Sequence, residues 1–113
     1  MPMEISQQEV APGKAVVTLS GKVMLGFVGD RVVELVDQLL REGKKTIIFD
    51  LSGVTTLDST GVGQFISSFN KITAAGAEMR MAGATGHNYH TFQVSLLDKV
   101  FQFYPTVQEA AAG

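Results

Sequence analysis

The residues with the most chemistry to offer stand together in Asp50-Leu51-Ser52-Gly53-Val54-Thr55-Thr56-Leu57-Asp58-Ser59-Thr60-Gly61-Val62-Gly63. Asp58, Ser59 and Thr60 put a carboxylate and two hydroxyls just ahead of a helical period. Their oxygens suit the backbone amides that the first turn of a helix leaves unpaired. Gly61 and Gly63 strip side chains from that turn, so another surface can approach the backbone closely. A phosphate on Ser59 would lie near those amides and the positive end of the helix dipole. It would add about −1.5 to −2 charges at neutral pH, beside Asp58 and with Asp50 expected nearby. Repulsion and desolvation would then disrupt an interface built on this helix start. Two readings stand side by side. In one, the hydroxyls and Asp58 only cap the helix and the glycines serve helix-to-sheet packing. In the other, Ser59 is a switch, with Thr60 as the alternative acceptor.

Other residue pairs support little chemistry. Ser59 is not in a nucleophile elbow, because Leu57 stands where that motif has its first glycine. Gly61-Val62-Gly63 begins like a dinucleotide loop but lacks the third glycine. There is no phosphate-binding P-loop. Ser68 and Lys71 have Ser-x-x-Lys spacing, yet Phe69 between them lies on an apolar stripe. His87 and His90 share a helix face at i, i+3, but no third ligand accompanies them, so a surface or capping role is expected and no metal site. No catalytic constellation is present, so the chain reads as a binding protein with no cofactor of its own, not an enzyme.

The elements that must position Ser59 follow from hydrophobic period and turn residues. Residues 3–10 and 15–20 flank Ala11-Pro12-Gly13-Lys14 and read as an opening hairpin ended by Gly21. Residues 27–42 carry an apolar stripe at three- and four-residue steps, stopped by Gly43. Residues 46–51 form a continuous apolar run, as in a central strand covered on both faces. Residues 52–60 read as a polar loop. Residues 61–75 repeat the helical period through Val62, Phe65, Ile66, Phe69 and Ile72, and Gly76 stops them. Residues 78–82 read as a strand, 89–97 as a helix and 100–104 as a last strand, whose Phe101, Phe103 and Tyr104 are core or an exposed patch, with core the preferred reading for aromatics in so short a strand. Thr106 then caps a terminal helix whose Ala-rich end is expected to fray. The order β-β-α-β-α-β-α-β-α implies one layered α/β domain over residues 1–113. Its sheet is mixed but mostly parallel, with about five strands and four helices.

Composition bounds the function. In 113 residues, 9 Lys and Arg against 11 Asp and Glu give a net charge of −2, which argues against nucleic acid as a partner. Lys44-Lys45 reads as a solvated pair. Hydrophobic residues at 45% and charged residues at 18% are those of a globular chain. The absence of cysteine removes disulfides, thiolate catalysis and thiolate metal sites, and fits a reducing compartment. No apolar run reaches the roughly 18–20 residues that span a bilayer. The first residues do not read as a signal peptide either, so a cytoplasmic protein without membrane insertion is expected.

The Asp50-Leu51-Ser52 and Asp58-Ser59-Thr60-Gly61-Val62-Gly63 segments resemble the STAS domain, the family of sulphate transporters and anti-sigma factor antagonists. Its hallmark is a buried strand ending in Asp-Leu-Ser, a short loop, then Asp-Ser-Ser/Thr-Gly-hydrophobic-Gly. The resemblance extends from the hairpin to Leu97-Asp98-Lys99-Val100-Phe101. It implies a stand-alone anti-sigma factor antagonist that takes part in stress signalling and transcription control by partner switching. A kinase that is also an anti-sigma factor would phosphorylate Ser59. The unphosphorylated chain would bind that partner and free the sigma factor, and a serine phosphatase would restore it. The implied partner surface comprises Met24, Asp58, Ser59, Thr60, Gly61, Val62, Gly63 and Phe65. One position departs from the family: Met24 replaces an acid of a Gly-x-hydrophobic-Asp element that begins here at Gly21. Exposed, Met24 would give an apolar contact; buried, it would fill a gap. The same fold also serves as a non-switching scaffold subunit in stressosome-like or lipid-transport complexes, and that is the alternative expectation.

Overall fold

The computed structural model describes residues 4–23 and 31–112, the side chains of residues 23, 59 and 60 excepted. Strands β1 (Glu4–Ala11) and β2 (Lys14–Val23) form the expected antiparallel hairpin around Gly13, whose φ of 77° only glycine adopts freely. Strands β3 (Thr46–Leu57), β4 (Glu78–Ala82) and β5 (Gln102–Tyr104) then add in sequence order, each parallel to its neighbour. The sheet is therefore mixed, five-stranded and mostly parallel. Helices α1 (Arg31–Arg41), α2 (Ser59–Ala74) and α3 (Gly86–Val94) are its crossovers, and α4 (Val107–Ala112) follows β5. Residues 27–30 of the expected first helix lie outside the described residues.

Four parallel strands laid down in one direction put successive right-handed crossovers on one face. The main core lies there. Val17, Leu19, Ile47, Phe49 and Met81 from the sheet meet Val32 and Leu39 of α1, Phe65 and Ile72 of α2, and Phe92 of α3. Phe65 touches Phe49 edge-on at 5.3 Å and Phe92 at 5.8 Å between ring centroids, so α2 is anchored between strand and neighbouring helix. On the opposite face Val16, Ile48 and Ala82 are covered by Ala110 of α4. Ile47 and Phe49 facing one way, with Ile48 the other, explains the continuous apolar run in β3. Phe101 is buried and Phe103 and Tyr104 half-buried, as the core reading expects.

The glycine stops are as read. Gly43 and Gly76, at φ 88° and 77°, close α1 and α2 with paired bonds: Lys44 N donates to Leu39 O and Ala77 N to Ile72 O. Other boundaries move. Helix α3 ends at Val94 and not at residue 97, because Leu96 turns left-handed into a 3-10 turn over Leu97–Lys99. Strand β5 accordingly starts at Gln102. Lys44 is not a purely solvated side chain: it donates to Glu9 Oε2 at 2.9 Å, which holds the Glu9 carboxyl below its ordinary value. The Ala-rich end is docked where fraying was expected. Ala110 is fully buried, Thr106 Oγ1 accepts the Glu109 amide as the cap, and two cations hold the end of the helix. Arg80 Nη1 donates to Ala110 O and Lys14 Nζ to Ala111 O, each at 2.7 Å.

The largest difference is β3, which runs on to Leu57 through residues read as loop. Strand β2 continues beside it past Gly21, pairing Ser20 with Gly53, Gly21 with Val54 and Val23 with Leu57 across two register shifts. Val54 and Leu57 point into the core while Ser52, Gly53 and Thr55 are exposed, so the strand presents one polar side and resembles a loop in sequence.

Candidate functional site

The extended β3 carries the chain to the carboxyl end of the sheet, the end where sites collect in α/β folds. Leu57, only 4% exposed, anchors the last strand residue, and Asn88 Nδ2 of α3 donates to Val54 O at 2.9 Å, tying the neighbouring helix to the same strand end. Asp58 follows in an extended conformation (φ −103°, ψ 176°). It is the N-cap: its Oδ1 accepts the Gly61 amide at 2.7 Å, and its carbonyl accepts the Val62 amide at 3.0 Å.

Helix α2 therefore begins at Ser59, two residues earlier than the hydrophobic period indicates. Ser59 and Thr60 are its first two residues and do not precede it. Of the three oxygen-bearing side chains read as possible caps, Asp58 supplies the cap. A carboxylate at a helix N-terminus is favoured by the dipole. A phosphate on Ser59 would bring a second and larger anion to the turn that Asp58 already occupies.

Asp50 does not join this charge. It lies seven residues before Leu57 in β3, and the two pair with Thr18 and Val23 of β2, five residues apart, so roughly 16 Å of strand separates them, and charges at that separation are largely screened, since the Debye length is about 8 Å. Its Oδ1 is engaged locally, accepting Ser52 N at 3.0 Å and Ser52 Oγ at 2.7 Å. The negative density expected around Ser59 comes from Asp58 alone among the two.

The expected partner surface divides. Gly61 and Val62 are buried, and Phe65 is fully buried in the main core, so the Val62 and Phe65 side chains are not presented to a partner. Their apolar period is the inward stripe of α2. Gly63 is half-buried and a Cβ built on it meets no described atom within 4 Å. Met24 lies outside the described residues. One apolar residue of the α2 period stands outside the core, and that is Ile66. It falls in the apolar period and reads as core, yet it is 40% exposed, next to exposed Ser67 and three residues before half-buried Phe69. Only the orientation of α2 on the sheet distinguishes it from Phe65.

His87 and His90 are both exposed on α3, and among the described residues no three His, Cys, Asp or Glu gather as a metal site would need. No helix among the described residues is long and apolar enough to cross a membrane.

Solved structures share this arrangement. An anti-sigma factor antagonist from Mycobacterium paratuberculosis superposes with a TM-score of 0.83 at 21% identity, covering 97% of this chain and 92% of that one. A putative anti-sigma factor antagonist from Thermotoga maritima gives 0.84 at 17%, covering 96% and 92%. The Bacillus cell fate determinant SpoIIAA in its phosphorylated form gives 0.75 at 20%, covering 96% and 97%. At these identities the likeness is one of fold. The match to the STAS domain itself takes in residues 6–110, from the hairpin through β3 and the Asp58 turn to α4, and on that extent the chain belongs to the STAS domain family.

Proposed function

We propose that this chain is an anti-sigma factor antagonist whose binding to an anti-sigma factor is controlled by phosphate on Ser59. The carrying observation is the position of Ser59: the first residue of α2, directly after the capping Asp58, at the carboxyl end of the sheet. The chain binds; its partner supplies the chemistry. That partner is both anti-sigma factor and serine kinase, and transfers the γ-phosphoryl group of ATP to Ser59 Oγ with release of ADP. Unphosphorylated, the chain holds the partner and the sigma factor goes free. Phosphorylated, the α2 start carries about two more negative charges beside Asp58, and the interface is lost by repulsion and desolvation. A serine phosphatase hydrolyses the phosphoserine and resets the cycle in the cytoplasm. The fold-level likeness to a SpoIIAA structure in phosphorylated form supports this reading.

The test is intact-mass and site-mapping spectrometry on protein isolated from its native cell, with and without stress. One phosphate on Ser59 with changing occupancy is expected. Phosphate on Thr60 keeps the switch and moves it by one residue. No phosphate under any condition overturns the reading and leaves a non-switching docking block. Ser59→Asp should bind the partner kinase about tenfold or more weakly than the unmodified chain.

A further inference from the structure

The loops that follow β4 and β5 enclose a crevice at the carboxyl end of the sheet. Ala84 and Thr85 of the first loop line it, with Tyr89 of α3, Phe103 and Tyr104 of β5, and Pro105 beyond. Its volume of about 300 Å³ stands at the lower end of small-molecule sites and suits one ring system. Ligands collect at this end of the strands in α/β folds. None of the lining residues belongs to the Asp58–Gly63 turn.

The crevice is formed in advance. Gly83 N donates to Tyr104 O at 3.1 Å and ties the two loops together. Gly83 takes φ 75°, and a Cβ on it would stand 3.0 Å from the Ser52 Cβ, so the first loop is packed closely against β3. Phe103 meets Tyr89 edge-on at 5.2 Å and Phe92 at 5.2 Å between ring centroids. Tyr104 Oη donates to Gln102 Oε1 at 3.1 Å, and the Arg80 guanidinium lies 6.0 Å from the Tyr104 ring centre. Rings fixed in this way cost a ligand little reorganisation.

The lining selects a chemistry. Three aromatic rings and a proline favour a flat apolar body. No lining residue is charged, and Arg80 is spent on Glu78 and the Ala110 carbonyl, so an anion would be desolvated without a counter-charge. Two polar groups remain unspent among the described residues. Thr85 is the N-cap residue of α3, yet its side chain makes no cap bond, and the Tyr89 hydroxyl has no protein partner.

We propose that this crevice binds an uncharged aromatic molecule of one or two fused rings. The ring lies against Tyr89, Phe103 and Tyr104, and a carbonyl or hydroxyl of the ligand bonds Thr85 Oγ1 and Tyr89 Oη. The site needs no phosphate on Ser59, so it stands or falls apart from the proposed function.

The test is NMR titration of the isotopically labelled full chain. Both tyrosines of the chain line the crevice, so their ring signals report it directly. The probes are benzamide, benzoate (the same ring, charged) and cyclohexanecarboxamide (the same polar group without the aromatic ring). Benzamide should shift Thr85, Tyr89, Phe103 and Tyr104 along one curve with a Kd of about 1–5 mM. The other two should bind at least tenfold more weakly. Tyr89→Leu should abolish the benzamide shifts at Thr85 and Tyr104, with the amide signals of Phe49 and Phe65 unchanged as the check on the fold. Thr85→Val, which keeps the side-chain shape, should weaken benzamide about threefold, and it decides the matter if Tyr89→Leu does not fold. No saturable shift at these residues up to about 20 mM benzamide overturns the site. Equal binding of all three probes, shifts spread over the surface, or undiminished binding by a folded Tyr89→Leu overturns it too.

Discussion

Leu96 holds φ 61° and ψ 15°, the left-handed conformation that costs a bulky L-residue about 1–2 kcal/mol. It is 65% exposed, so burial does not repay the strain. The backbone is held there by its neighbours: Leu96 N donates to Gln93 O and Leu96 O accepts Lys99 N, which joins α3 to the 3-10 turn ahead of β5. Leu96→Gly keeps that path and removes the Cβ clash. It should raise stability by about 1 kcal/mol, read as a melting temperature about 4 °C higher in thermal unfolding. A lower melting temperature would mean that the exposed leucine packs more than its accessibility implies. Asp58 shows the opposite economy at the same scale, since one carboxylate both satisfies the Gly61 amide and fixes where Ser59 stands in α2.

At the scale of elements, the site depends on how β3 leaves the sheet. The register shifts beyond Thr18 let β2 and β3 stay paired to Leu57, and Gly53 faces Ser20 of β2 there. A Cβ on Gly53 would stand 2.9 Å from the Ser20 Cβ and 3.4 Å from Leu19 O. Gly53→Ala must push β2 aside, and is expected to destabilise the protein by about 1–3 kcal/mol in denaturant unfolding. An unchanged midpoint would show that β2 yields freely. This continuation is also where sequence and structure part. The α1 and α2 stripes, their glycine stops and the buried run of residues 46–51 are legible because each is fixed by local period and local φ. Ser52, Gly53, Thr55 and Thr56 read as loop because the strand they form is polar on one side and is held by β2, more than thirty residues earlier in the chain. The sequence places the start of α2 two residues late for a related reason: Ser59 and Thr60 lack apolar side chains, and only the Asp58 cap bond marks them as helical. Ile66 reads as core, since the period records which residues are apolar but not how far round the helix the sheet reaches.

For the whole molecule, the two faces of the sheet are unequally covered, and this predicts where it opens first. Three helices bury the main core, whereas the second face relies on α4, six residues long with one fully buried side chain, Ala110. So short a helix has little stability of its own. It is held from below by Arg80 and Lys14, whose donors reach the carbonyls of Ala110 and Ala111 at the helix C-terminus, where cations are favoured. Arg80 is itself fixed: Nε and Nη2 donate to Glu78 Oε2 at 2.9 and 2.7 Å, and its guanidinium lies 6.0 Å from the Tyr104 ring centre. Because Arg80 is 7% exposed, replacing it leaves the Ala110 carbonyl without its partner in a dry place. Arg80→Met, which keeps most of the volume, should cost about 1–3 kcal/mol and should act on α4 more than on the main core. Native-state hydrogen exchange separates the two. The Ala110 amide, bonded to Thr106 O, should exchange through a local opening well below the global unfolding free energy, and faster still in the variant, while the amides of Phe49 and Phe65 follow global unfolding. Equal protection of Ala110 and Phe65 would mean that α4 unfolds only with the whole sheet. In that case α4 is part of one cooperative unit with the strand that leads to Ser59, and changes at either face would be felt at the other.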